Sequence, residues 1–403
     1  MKLLIKNFRV WWQVPRRISD DGHDRTVSFL ELFYDLVYVV LIAQFSHQLA
    51  HNISWHGISE FVFLFIIVWW AWFNGTIYHD LHGNYDIRTR TFTFLQMFAV
   101  IAMAIFAHDA IGHNANGFAL AYAFFQLLLT YLWWRTGVHD KDHRPLAVPY
   151  SALFLLNTIL FIVSVFIAEP YKYYLWFAAI FISLLLPLLP LIIARNNPAV
   201  QEHVKKLSVI NPALVERFGL FTIIVLGEVI VGVVVGVSDN HHLDWEIGIT
   251  ALFATLIAIG LWWLYFDFIS HKPPRKGVNY FNFWYYLHLP VVLGITATGA
   301  ALLNIFEHFD AEQLTNSKYL LVGSVASVLL GISLLGKVIQ HPDEHAIFIK
   351  WGNWIVPLSA LVIISLAFFD LSAIVLIILV AFILLIPVVN ALSIWMNFVS
   401  KNS

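Results

Sequence analysis

The chain alternates long apolar runs with short polar breaks. Runs of about 20 apolar residues, the length a helix needs to cross a bilayer, fall at 27–50, 59–80, 91–111, 117–137, 147–168 and 171–194. They recur at 214–237, 245–269, 282–303, 318–336, 350–369 and 371–397. The pattern predicts an all-α integral membrane protein of about twelve transmembrane helices. The weakest boundary is Phe369-Asp370-Leu371, which either separates the last two spans or kinks one helix. No segment between the runs is long enough to fold as a soluble domain. The first run, FLELFYDLVYVVLIAQF, carries Glu31 and Asp35 four residues apart, a spacing that puts both carboxylates on one face of a helix.

Composition agrees with the pattern. The sequence is 60% hydrophobic and 12% charged, with a mean hydropathy of +0.76, whereas about a quarter of the residues in a soluble domain are charged. With the N-terminus in the cytoplasm, 21 of the 23 Lys and Arg fall on the cytoplasmic side and only Lys172 and Lys318 on the other. That asymmetry follows the positive-inside rule and supports an even number of spans, with both termini cytoplasmic. The opening MKLLIKNFRVWWQVPRR lacks the apolar core of a cleavable signal peptide, so the first span is expected to act as an uncleaved insertion signal. The absence of cysteine excludes disulfides and thiolate metal sites.

Weak internal repetition suggests two halves. Arg25-x-x-x-Phe29 opens the first span and Arg217-x-x-x-Phe221 the seventh. Asp35 precedes Trp69 by 34 residues, as Glu228 precedes Trp262. WWAWFN (69–74) matches WWLYFD (262–267), pairing Asn74 with Asp267, and FTFLQM (92–97) matches WYYLHL (284–289), pairing Gln96 with His288. The expected organisation is a basic segment at 1–26, a six-helix repeat at 27–194, a linker at 195–213, a second six-helix repeat at 214–397 and a tail at 398–403. Repeats with an even number of spans have parallel orientation.

These positions predict a polar layer in the inner half of the membrane. On a helical wheel Glu31, Asp35, Tyr38 and Ser46 form one stripe, and Arg217, Phe221, Glu228 and Gly232 another. Ionisable groups at such depths face a bundle interior or a hydrated cavity. Glu31 is near its helix start, where the macrodipole tolerates an acid, and Asp267 has Lys272 close by in sequence. Asp35 and Glu228 lie deeper. Because an isolated carboxylate in low dielectric is more stable protonated than charged, at least one of Asp35 and Glu228 is expected to take up a proton near neutral pH. His288, beside Tyr285 and Tyr286, is the candidate relay histidine.

Other chemistries find little support. HQLAH (47–51), HDLH (79–82) and HDKDH (139–143) have helical metal-ligand spacing, but they lie at span ends and in loops, so no metal and no cofactor is expected. There is no phosphate-binding Gly-Lys-Ser/Thr loop, no G-x-S-x-G, no H-E-x-x-H and no basic patch for nucleic acid. The glycines of LGEVIVGVVVG (226–236) suit close helix packing.

RTVSFLELFYDLVYVVLIAQFSH, ERFGLFTIIVLGEVIVGVV and YYLHLPVVLGI together resemble the bacterial low temperature requirement A family over essentially the whole chain. The resemblance implies a bacterial membrane protein linked by name to growth in the cold, with no established substrate. A fainter likeness is to the two-repeat lysosomal potassium channel family, whose repeats open with Arg-x3-Phe-Ser-Asp. Here Arg25 and Phe29, and Arg217 and Phe221, match. Leu30-Glu31 and Thr222-Ile223 stand where that family has Ser-Asp.

The expected function is a secondary transporter or channel of the cytoplasmic membrane for protons, cations or a small solute. Asp35 and Glu228 would bind the cargo, with Glu31, Asn74, Gln96, Asp267 and His288 along its route. The expected partners are the lipid bilayer and that ion or solute, with a homo-oligomer left open. The alternatives are an enzyme acting on lipid or envelope precursors, with a headgroup site at Arg88, Arg90 and Arg217, and an assembly protein without turnover.

Overall fold

The computed structural model describes residues 11–17, 26–195, 198–207, 210–238, 244–308, 314–340 and 346–402. Among these residues the chain forms helices and no strand; Pro274 and Ile339 make an isolated antiparallel bridge. The first half contains α1 (Phe29–His51), α2 (Trp55–His82), α3 (Ile87–Ala107), α4 (Ala115–His139), α5 (Arg144–Ser164), α6 (Tyr171–Ala194) and a short α7 (Pro198–Leu207). Then come α8 (Pro212–Ser238), α9 (Trp245–Phe268), α10 (Val278–Glu307), α11 (Thr315–Val338), α12 (Ala346–Ser365) and α13 (Ala373–Asn402).

Among the described residues, eleven helices are long and apolar enough to cross a membrane. The run expected at 350–369 overlaps α12 and the 3-10 turn Leu366–Phe368 that follows it, where Trp354–Phe368 is a shorter apolar helix. At Phe369-Asp370-Leu371 the helix ends instead of bending, and the Leu371 carbonyl accepts from Lys318 Nζ at 2.8 Å. The chain is therefore a multi-pass membrane protein.

Local chemistry sets the helix ends. At the start of α1, Ser28 and Glu31 form a reciprocal capping box. The Glu31 N–H donates to Ser28 Oγ at 3.3 Å, and the Ser28 N–H donates to Glu31 Oε2 at 2.9 Å. Helix α3 begins four residues before the expected 91, because Asp86 caps it: Oδ1 accepts from the Thr89 N–H at 3.1 Å. It ends where His108 turns extended and Asp109 adopts φ 61°. Within α6, a 3-10 turn at Leu186–Leu188 coincides with Pro187 and Pro190, which lack the N–H an α-helix requires. Helix α7 is amphipathic. Its Val200 and Val204 pack against Leu146 of α5 and Ala194 of α6.

The chain divides into two compact units. One comprises Met1–Gln44, Leu64–Arg217 and Lys276–Val278; the other comprises Phe45–Phe63, Phe218–Arg275 and Asn279–Ser403. In the first unit α4 packs on α3 and α5, and α5 on α6. In the second, α13 packs on α9 and α12, and α12 on α11.

Candidate functional site: buried carboxylates in the spans

In the first unit, Asp35 lies six residues into α1, about 9 Å along the axis, and is fully buried. Arg217, in the first turns of α8, clamps it. Nη2 donates to Asp35 Oδ1 at 2.9 Å, and Nε lies 3.3 and 3.2 Å from Oδ1 and Oδ2. The same guanidinium reaches Glu31 Oε1 through Nη1 at 3.4 Å. From α2, the Trp72 indole N–H donates to Asp35 Oδ1 at 2.8 Å. The Arg217 fork thus gathers both acids of the FLELFYD segment, and an arginine buried against carboxylates is held by fixed bidentate geometry.

Aromatic hydroxyls extend this cluster. The Arg217 guanidinium sits 5.2 Å from the Tyr34 ring centroid, a cation–π arrangement, and the Tyr34 and Tyr38 hydroxyls are 3.2 Å apart. Gly75 of α2 makes room for Tyr34, since a Cβ there would lie 2.0 Å from the Tyr34 hydroxyl oxygen. The predicted stripe of Glu31, Asp35, Tyr38 and Ser46 is buried at all four positions, and so is that of Arg217, Phe221, Glu228 and Gly232. Asp35 is not the isolated acid that proton uptake presupposed: its neutralising partner is Arg217. Glu31 spends one oxygen on the helix cap and the other on Arg217.

The remaining candidates of this unit divide. Asn74 is buried and donates to the Trp70 carbonyl of its own helix at 2.8 Å. Gln96 is buried, and its Nε2 has no hydrogen-bond partner among the described residues. Phe29 is 90% exposed, and Arg25 lies outside the described residues.

In the second unit Glu228 stands sixteen residues into the 27-residue α8, close to its middle, and is 7% exposed. Among the described residues no hydrogen bond or ion pair reaches its carboxylate. Its backbone lies in a tight seam with α10: a Cβ on Gly299 would approach the Glu228 carbonyl oxygen to 2.7 Å, and one on Gly232 the Gly299 carbonyl to 2.4 Å. Two of the glycines in LGEVIVGVVVG, Gly232 and Gly236, therefore serve packing, whereas Gly227 faces open space. His288 is buried with both ring nitrogens engaged, Nδ1 at 2.7 Å from the Trp284 carbonyl and Nε2 at 3.0 Å from the Tyr265 hydroxyl. Phe218 and Trp284 pack edge-on against its ring. Asp267 does not enter a buried layer. It is exposed, and its backbone carbonyl accepts from Lys272 Nζ at 3.0 Å.

Among the described residues no group of three His, Cys, Asp or Glu is arranged to hold an ion. His143 Nδ1 instead faces His203 Nε2 at 2.8 Å. Burial, and then the neighbouring His82 and His203, hold the His143 imidazole well below its ordinary pKa. Of the residues suggested for a headgroup site, Arg217 is committed to the acids, Arg88 is buried and Arg90 is exposed.

The family model described as "Bacterial low temperature requirement A protein (LtrA)" matches residues 26–394. The chain belongs to that family. It is also similar to an uncharacterized protein of Rhizobium meliloti (strain 1021), 28% identical over 301 residues that cover 70% of each chain. No solved structure matches it.

Proposed function

We propose that the chain is a secondary transporter or channel of the bacterial cytoplasmic membrane for protons, cations or a small solute, with both termini in the cytoplasm. The observation that carries this reading is Glu228. A carboxylate near the middle of an apolar span, with no donor or cation within reach among the described residues, costs several kcal/mol if left charged and unsolvated. Bound cargo, a proton or water removes that cost. The Asp35–Arg217–Glu31 cluster supplies a second ionisable group inside the spans, the kind of residue that marks ion pathways and proton relays. Asn74, Gln96, His288 and Phe221 are further buried residues within the spans; Asp267 stands at the exposed end of α9.

The geometry of the cluster also favours a second reading. A carboxylate held by a three-contact arginine clamp and an indole N–H is suited to fixing helix register in a protein without turnover. Purified protein in liposomes, scanned with imposed proton, potassium and sodium gradients, separates the two. Transport predicts flux in the wild type that is lost when Asp35→Asn and Glu228→Gln are combined in a protein that still folds. Undiminished flux in that variant, or no flux with any gradient, defeats it.

A further inference from the structure

We propose that the end of the first unit beneath the N-terminal segment binds a phosphate-type oxyanion between Arg88 and Arg135. Two guanidinium groups are buried there, Arg88 at 1% and Arg135 at 7% exposure. One residue of the N-terminal segment links Arg135 to Asp86, the acid beside Arg88. The Gln13 N–H donates to Asp86 Oδ2 at 2.8 Å, and the Gln13 carbonyl accepts from Arg135 Nη2 at 3.0 Å. Arg88 Nε lies 3.7 Å from the same Asp86 Oδ2, too long for a hydrogen bond. The Trp12 ring covers Arg135 at 6.0 Å.

Among the described residues the charges in this cluster do not balance. Asp86 is the carboxylate next to Arg88, and neutral donors already occupy both its oxygens: Oδ1 accepts from the Thr89 N–H and from Thr89 Oγ1 at 2.6 Å, and Oδ2 accepts from Gln13. Arg88 Nη1 and Arg135 Nη1 are both buried and find no hydrogen-bond partner among the described residues. A buried guanidinium requires a counter-charge and acceptors for its N–H groups. The chemistry that supplies both to two planar forks is a multidentate oxyanion. Arg88 lies in the first turn of α3, whose macrodipole adds positive potential. Basic pockets between transmembrane helices bind phosphate headgroups, and a free phosphate offers the same oxygens.

Two measurements on the full-length protein in detergent distinguish the sources. The first is thermal unfolding in phosphate against chloride at equal ionic strength; the second is native mass spectrometry after addition of phosphatidylglycerol or phosphatidylcholine. Protection by phosphate without retained phosphatidylglycerol identifies the free anion, and selective retention of phosphatidylglycerol identifies the headgroup. In either case Arg135→Gln should weaken binding about tenfold or more, the effect of losing one charge-assisted contact, while exposed Arg90→Gln leaves it unchanged. If Arg135→Gln does not fold, Arg88→Gln and the wild-type anion comparison carry the test. Equal behaviour in phosphate and chloride without lipid selectivity overturns the proposal, as does unweakened binding in a folded Arg135 or Arg88 variant.

Discussion

Replacing Arg217 by glutamine should be among the most damaging single changes in the chain. The side chain makes three contacts to Asp35 between 2.9 and 3.3 Å and a fourth to Glu31 at 3.4 Å. Without it, two carboxylates with 0% and 3% exposure lose their shared cation. Removing one partner of a buried ion pair costs about 3–5 kcal/mol, because the remaining charge stays desolvated. Asp35→Asn should be costly for the converse reason. Together the two changes should cost less than the sum by about 1–3 kcal/mol, the coupling expected of residues in direct contact. Equilibrium unfolding in mixed micelles, followed by tryptophan fluorescence, measures all four corners of the cycle. An Arg217→Gln cost below about 1 kcal/mol, or additivity within about 0.5 kcal/mol, would refute the clamp.

Two further outcomes follow from the packing and the histidines. Gly299→Ala would place a Cβ 2.7 Å from the Glu228 carbonyl oxygen, so the α8–α10 seam must open; unfolding measurements should show a loss of about 1–3 kcal/mol. His143 is neutral in the folded chain, its pKa well below the ordinary 6.5. Below about pH 6.5 the unfolded chain therefore binds the extra proton, and stability falls as the pH drops toward the folded value. His143→Gln should flatten that part of the stability–pH curve between pH 7.5 and 5.5, and an unchanged slope would exclude the histidine as its source.

Much of this architecture was legible in hydropathy, because a bilayer imposes a length and a composition on every crossing. The spans expected at 171–194 and 245–269 coincide closely with helices Tyr171–Ala194 and Trp245–Phe268. The start of α3 was missed because apolar periodicity does not register a capping aspartate such as Asp86. The α1 stripe was readable because Glu31, Asp35 and Tyr38 belong to one helix. The partner of Asp35 was not, since Arg217 lies 182 residues away and spacing carries no information about that contact. A signal existed nonetheless: Arg217 falls inside the apolar run 214–237, and a basic group in a span demands an acid. Arg135, inside the run 117–137, carried the same signal. The expected equivalence of Asn74 with Asp267 met different surroundings, one buried within its own helix and the other exposed beside Lys272.

Cargo binding at Glu228 can be read directly as an infrared difference between wild type and Glu228→Gln in lipid, recorded on adding protons, potassium or sodium. If this carboxylate takes up the transported species, one of these additions changes a carboxyl band that the variant lacks. Identical spectra from the two proteins under every addition would contradict it.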